Sequence, residues 1–310
     1  MQLVSDVWPP FTDVEGKPRQ AIDLVQAALR RAGRSSTVVI VSWNTAVPLL
    51  EKAYYAGSAA LWKSAEREKY MIFSKPYLEN RLVLVGRAGT DVSATSFAAL
   101  AGKRLALTRG YAYGDAALKT PRVEVVLRDN DADCLRAVLS KQADYLLMDE
   151  LMVNHLFRRY RAKAEQLIVV GRTALVENSL HFALHKAYPN ARQIIDEFDR
   201  NVGKMVADGS YNDLLDVAWI RVDTNHDGQP EYVASSRAAS QGDGDPSKHG
   251  GYPVFYPDTR PAGTGTPSPT YVIDGKSYNN WGDAATTLQR DSSSGSAAYK
   301  YSTGFVLGEF

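Results

Sequence analysis

The stretch "WKSAEREKYMIFSKPY", Trp62–Tyr77, decides how the rest of the chain is read. Ser64 is a favourable helix N-cap, and Glu66 and Arg67 fall in the first turn behind it. An arginine is an awkward choice there. A helix start already carries partial positive charge, so a cation in its first turn is unfavourable unless an anion sits beside it. A solvated surface arginine is the plain alternative. Upstream "AALW" and downstream "RLVLVG" read as strands.

The alternation continues outward. Strand candidates are "LVSDV", "TVVIVS", "RLALT", "VEVVL", "DYLLMD", "QLIVVG" and "LHFALH". Between them lie segments of helical period: "AIDLVQAALRRAG", with Ile22, Val25, Leu29 and Ala32 on one face and Gly33 as its stop, then "NTAVPLLEKAYYAG", "DADCLRAVLSKQA" and "LMVNHLFRRYRAKA". The run from Asn190 to Ile220 reads as two helices broken near Gly209. Strands alternating with helices predict an α/β class with a parallel or mixed sheet. After Ile220 the composition shifts to Gly, Ser, Asp, Thr and Pro, which marks a separate appendage; "SSRAASQGDGDPSKHGG" and "RDSSSGSAAYK" read as irregular loops.

With 310 residues the chain has room for two or three compact units. Lys+Arg 36 against Asp+Glu 35 leaves a net charge of +1, which argues against nucleic acid or an anionic membrane as partner. No apolar run reaches the length of a membrane span, and "MQLVSDVWPPF" lacks the pattern of a signal peptide. The chain is therefore expected to be soluble, and its start inside a strand is compatible with a leader already removed. The single cysteine, Cys134, excludes an internal disulfide and sits at helical spacing as a small core residue.

Read in order, "VWPPFTDVEGKPRQAIDLVQAAL", "SWNTAVPLLEKAYYAG", "SAERE" to "FSKPYLENRLVLVGRAG", "LAGKRLALTRGYAYGDAAL", "LRAVLSKQADYLLMDE" and "FDRNVGKMVADGSYNDLLDVAW" resemble the solute-binding proteins of amino-acid ABC transporters. The resemblance covers most of residues 2–220 in colinear order and implies a two-lobed, Venus-flytrap architecture with ligand in the cleft. It implies one lobe from residues 1–86 and 179–220, a second from 87–178, hinge strands near Gly86 and Glu177, and an extension over 221–310. It also implies a role for Arg67, which matches the family arginine that holds the ligand's carboxylate, with Ser64 beginning the same motif. A planar guanidinium fork fits that task. The family acid for the α-ammonium falls on Asp149, which equally reads as the cap of the helix "ELMVNHLF". Trp8 matches an aromatic that packs over the ligand, with core packing as its other reading, whereas Trp43 reads as core. The sequence departs from the family at three points: Trp62 replaces a small hydroxyl residue, Tyr111 and Ala112 stand where hydroxyl donors are common, and Ala56 replaces an acid. Trp62 is expected to narrow the pocket or stack on a planar ligand.

In the appendage, "DTNHDGQPEY" sets Asp223, Asn225, Asp227 and Glu231 at loop positions one, three, five and nine around Gly228. Alternating oxygen ligands on a glycine turn suit structural Ca²⁺, and the spacing resembles dockerin and integrin-type calcium loops. A simple polar turn remains the other reading. Ala234 at position twelve excludes an EF-hand.

The expected function is capture of a small carboxylated solute, an amino acid foremost, outside the cytoplasm in the periplasm or beyond, with delivery to a permease or sensor and no cofactor required. A dehydratase-like enzyme on the same scaffold is the second reading, for which Glu150 or Glu177 would be the general acid. A sensing or adhesion module is the third. His155, His181, His185, His226 and His249 lack metal-hydrolase spacing.

Overall fold

A computed structural model describes residues 1–224, 227–240, 244–249, 251–254 and 270–291. Strands and helices alternate through the first part: β1 (Gln2–Ser5), α1 (Gln20–Arg31), β2 (Thr37–Ile40), α2 (Trp43–Glu51), β3 (Gly57–Trp62), β4 (Met71–Phe73) and β5 (Leu78–Arg87). The chain continues through β6 (Arg104–Thr108), α3 (Asp115–Lys119), β7 (Glu124–Arg128), α4 (Asp131–Leu139), β8 (Tyr145–Asp149), α5 (Glu150–Leu167), β9 (Ile168–His185), α6 (Ala191–Ala207) and α7 (Ser210–Leu215). The apolar stripe of α1 buries Ile22, Leu24, Val25 and Leu29, and the helix packs on α6 and α7.

One mixed sheet runs β2-β1-β3-β9-β5-β8-β6-β7, with β4 also on β9. β1, β2 and β3 are mutually parallel, as are β6, β7 and β8. These two groups are the bases of two lobes, joined by the antiparallel strands β5 and β9. β9 pairs with β3 through Leu180–Leu184 and with β5 from Leu180 back to Ile168, while β5 meets β8 only from Leu82 onward. The changeover between lobes thus lies at Asn80–Arg81 opposite Glu177–Asn178, and the sequence-based boundary after residue 86 falls inside β5, downstream of it.

"QLIVVG" and "LHFALH" are not separate strands. From Ile168 on they are the two ends of the 18-residue β9, whose polar middle breaks the apolar run: Glu177 and Asn178 still pair with β5, while Arg172 and Thr173 fall in a register shift. No α-helix begins at Ser64 either. Arg67–Lys69 form a single 3₁₀ turn, because β4 starts at Met71 and leaves no length for more.

The appendage has its own sheet, β12-β10-β11-β13-β14, from β10 (Ile220–Val222), β11 (Glu231–Ala234), β12 (Tyr252–Pro253), β13 (Tyr271–Ile273) and β14 (Lys276–Tyr278). Its core gathers Trp219, Tyr271 and Ile273 with Ala284 and Leu288 of α10 (Trp281–Asp291), which follows α8 (Ser236–Ala239) and α9 (Pro246–His249) among the described residues. Those two short helices occupy the tract read as irregular; Ser235 caps the first by accepting from the Ala238 N–H. Of "RDSSSGSAAYK", the part after Asp291 lies outside the described residues.

The appendage docks on α7. Asn212 donates to Val233 O at 3.0 Å, Ser235 Oγ donates to Asp213 at 2.7 Å, and a Cβ on Gly209, where φ is +78°, would lie 2.9 Å from Ser235 Cα. Gly57 is held more tightly still, since a Cβ there would stand 1.9 Å from the Ala183 carbonyl oxygen of β9. Gly57→Ala should therefore push β3 off β9 and cost about 1–3 kcal/mol, read as a lowered urea midpoint with unchanged slope.

Candidate functional site

The side chains that meet between the lobes come from loop and element ends at the carboxyl edges of strands, where ligands of open α/β sheets bind. The first lobe contributes Asp6 and Trp8 after β1, Trp43 at the head of α2, Trp62 at the end of β3, and Arg67. The second contributes the turn after β6 that carries Gly110, Tyr111 and Tyr113, and Asp131 at the start of α4. Trp8 is fixed by a tight backbone turn, in which its carbonyl accepts from Phe11 and Thr12, and Thr12 Oγ1 donates to Asp6 O at 2.8 Å.

Arg67 is only 8% exposed. Its Nη1 donates to Trp62 O at 2.6 Å and its Nη2 to Gly110 O of the opposite lobe at 3.3 Å, and the guanidinium carbon stands 5.3 Å from the Trp43 ring centre. Burial pulls its pKa below the ordinary value, while Tyr70, Tyr111 and Asp6 act in the other direction. Ser64 Oγ accepts from the Arg67 N–H at 3.3 Å and so shapes the turn. Trp62, where a hydroxyl was lost, reaches Arg67 through its backbone carbonyl alone; its Nε1 donates to Asn80 Oδ1 at 2.7 Å.

Around Arg67 the rings form one cluster. Trp62 lies 5.6 Å from Trp8, 5.4 Å from Tyr111 and 5.8 Å from Tyr113, centre to centre. Trp43, read from sequence as core, does pack in a buried cluster, and it also donates from Nε1 to Gly110 O across the cleft at 3.1 Å. Ala112 offers no side-chain donor; its carbonyl accepts from Asn178 of β9 at 3.1 Å.

Asp149 ends β8 and caps α5, with Oδ1 accepting from the Leu151 N–H at 2.8 Å and Oδ2 from Asn80 Nδ2 at 2.9 Å. The capping alternative is realised, and Asn80 stands between Asp149 and Trp62. Burial raises its carboxyl to about 7. The acids that border the aromatic cluster are two that sequence reasoning missed. Asp6 receives the Tyr111 hydroxyl at 3.2 Å, and burial raises it to about 6 against the opposing pull of that hydrogen bond and of Arg67. Asp131 receives Thr108 Oγ1 at 3.1 Å and is raised to about 7 by burial, with the Asp6 charge adding to the rise. Their place at a strand end and a helix start was the available signal. Glu150 and Glu177 both pair with Arg81, at 3.0 and 2.6 Å, on the hinge.

In the appendage, carboxylate oxygens of Asp223, Asp227 and Glu231 all lie within 4.8 Å of one another. Oxygens bound to one Ca²⁺ at 2.3–2.6 Å stand at most roughly 5 Å apart, so this all-oxygen set fits that ion. The same oxygens also close the turn: Asp223 accepts from the Asp227 and Gly228 N–H groups, and Glu231 from Thr224. Asn225 lies outside the described residues.

An acid whose folded pKa exceeds its unfolded one keeps its proton in the fold where the open chain has released it. The stabilising contribution of Asp6, Asp131 and Asp149 is therefore complete below about pH 4 and is lost as pH rises to about 7. The melting temperature should fall between about pH 4 and pH 7, and Asp131→Asn should flatten part of that slope in a pH series of thermal melts.

The family model described as bacterial extracellular solute-binding proteins, family 3, matches residues 3–220. ABC transporter arginine-binding protein 1 of Escherichia coli is 22% identical over 218 residues, which are 69% of this chain and 87% of that protein. Virulence sensor protein BvgS of Bordetella pertussis is 29% identical over 106 residues, which are 34% of this chain and only 8% of the sensor. Among solved structures, a mutant of ArgBP from T. maritima superposes with a TM-score of 0.58 at 20% identity, over 69% of this chain and 92% of that one. The GluR0 ligand-binding core of Nostoc punctiforme, in complex with L-glutamate, gives 0.58 at 21% identity, over 69% and 97%. An ancestral amino-acid-binding protein described as a precursor of cyclohexadienyl dehydratase gives 0.56 at 23% identity, over 69% and 92%. Among the described residues no helix is long and apolar enough to cross a membrane.

Proposed function

Because the chain belongs to the bacterial extracellular solute-binding proteins of family 3, we propose that it captures a small carboxylated solute, an amino acid foremost, by closing its two lobes outside the cytoplasm, for ABC-type uptake or for sensing. The observation that carries this reading is Arg67, a buried guanidinium at the lobe junction that reaches a carbonyl of the opposite lobe. Burial in a low-dielectric site strengthens its attraction for a carboxylate, and its planar fork has donors beyond the two used on Trp62 O and Gly110 O. Trp8 and Trp62 wall the solute, Tyr111 reaches into the same site from the second lobe, Ser64 holds the arginine's turn, and Ala112 lines the second lobe through its backbone. Asp6 and Asp131 take the ammonium. Asp149 acts one step back, orienting Trp62 through Asn80. The names of the Escherichia coli relative and of the glutamate-bound Nostoc core support an amino acid as the solute class.

Closure between the lobes needs only non-covalent contacts, and on this reading no bond is made or broken. The enzyme reading is favoured by one specific observation, a carboxyl group at Asp131 raised to about 7 beside the cleft, where it could act as a general acid. It shifts the candidate away from Glu150 and Glu177, whose carboxylates are engaged by Arg81. A solute recovered unchanged after binding separates capture from turnover. Sensing rests on the Bordetella relative and delivery on the Escherichia coli one; the permease or receptor would meet the closed lobes.

A thermal-shift screen of the chain against the proteinogenic amino acids should return a several-degree stabilisation for one chemical group of them. Arg67→Ala should then weaken that ligand by about 1.5–3 kcal/mol, roughly ten- to a hundredfold in Kd by calorimetry. Unchanged affinity would remove Arg67 from the site.

For the appendage, the proposed ion is a structural Ca²⁺ held by Asp223, Asp227 and Glu231, with Asn225 as a fourth ligand, pinning the start of the extension. Asp227→Ala should lower the melting temperature in calcium and leave it unchanged in chelator, through loss of ligand linkage. An equal fall in both buffers would leave a polar turn only.

A further inference from the structure

Tyr111 belongs to the second lobe and spends almost all of its side chain on the first. Its ring centre lies 5.7 Å from Trp8, 6.3 Å from Trp43 and 5.4 Å from Trp62, with interplanar angles of 67°, 88° and 75°. Three indoles therefore meet its ring at steep angles and enclose it. Its hydroxyl donates to Asp6 Oδ2, again across the cleft, at 3.2 Å. From its own lobe the ring meets Tyr113 at 5.8 Å. A residue that served its own lobe's core would show the opposite balance. The turn that delivers it is built for close approach: Gly110 takes φ +77°, and a Cβ there would sit 3.2 Å from Trp43 Cδ1. Tyr111 is nonetheless half-buried, so solvent reaches it without unfolding either lobe.

The geometry points to Tyr111 as a tethered occupant of the solute site, whose phenol marks the slot for an aromatic ring bearing a hydrogen-bond donor aimed at Asp6. This rests on the cleft being the binding site proposed above and narrows the solute class: a carboxylated molecule whose side chain is a phenol, an aryl amine or a similar flat donor. Such a solute must displace Tyr111, because both need the same space among the three indoles and the same carboxylate. The tether then sets the affinity, since a ring already present at high effective concentration competes with any free one.

The test uses the full chain and phenol as probe, with anisole, which lacks the donor, as control. Tyr111→Ala removes the tethered phenol, and a cavity lined by aromatic walls takes up a ring of matching size. Phenol should raise the melting temperature of Tyr111→Ala by several degrees and bind it at least tenfold more tightly than anisole, while Tyr111→Phe, which keeps the ring, should exclude both as the wild type does. Tyr111→Ser gives a second truncation whose small polar side chain suits a turn. Phenol acting equally on the wild type and the truncated variants, or on none of them, would overturn the proposal. So would equal binding of phenol and anisole, or failure of both truncations to fold, which would assign the ring to the core. Amino-acid titration of the wild type reads the solute-capture proposal separately, so loss of one result leaves the other standing.

Discussion

The structure hangs on the antiparallel pairing of β5 with β9. Over Leu78–Arg87 and Ile168–His185 this ladder satisfies the backbone groups of the segment where the chain passes between lobes, and it does so through two register shifts near Val83. Without it the parallel strands of the two lobes would be separate sheets with open edges. The same ladder places Asn80 between Trp62 and Asp149, so the hinge and one wall of the cleft share hydrogen bonds. It also receives the appendage, because the Tyr252 hydroxyl donates to the Glu79 carbonyl. Glu79 itself is buried, accepts from Ser179, and is raised by that burial to about 7.

The cleft sets one guanidinium against two carboxyl groups inside a shell of aromatic rings. Arg67 lowers the Asp6 pKa, and so do its hydrogen bonds, yet desolvation outweighs them and the group ends near 6. In a site so dry, charges attract strongly but are costly to leave unmatched. A solute that carries both an anion and a cation would match Arg67 and the two acids together. The aromatic shell surrounds these groups and keeps water from them.

Much of this was legible in the string. The helical stripe of "AIDLVQAALRRAG" and the apolar runs of "RLALT" and "DYLLMD" give their elements directly, since period and burial coincide there. Arg67 stands out in the sequence because a cation in the first turn behind a helix cap is unfavourable unless an anion sits beside it. Two kinds of feature were hidden. β9 reads as two strands because its middle is polar, and nothing local says that such residues pair with a strand some ninety positions away. The turn around Arg67 was read as a helix start because Ser64 supplies a cap, whereas the short distance to β4 leaves room for one turn only.

The site divides in the same way. The sequence by itself determined the alternating α/β pattern, the family resemblance over residues 2–220, the arginine and the unusual aromatics Trp62 and Tyr111, because periodicity, composition and motif order are properties of neighbours in the chain. Only the tertiary structure decided that Asp149 caps a helix and reaches the cleft through Asn80, that Asp6 and Asp131 are the acids beside the rings, and that Tyr111 crosses to the other lobe. Those outcomes depend on desolvation and on contacts between residues far apart in sequence, and burial of that kind exists only once the two lobes have met.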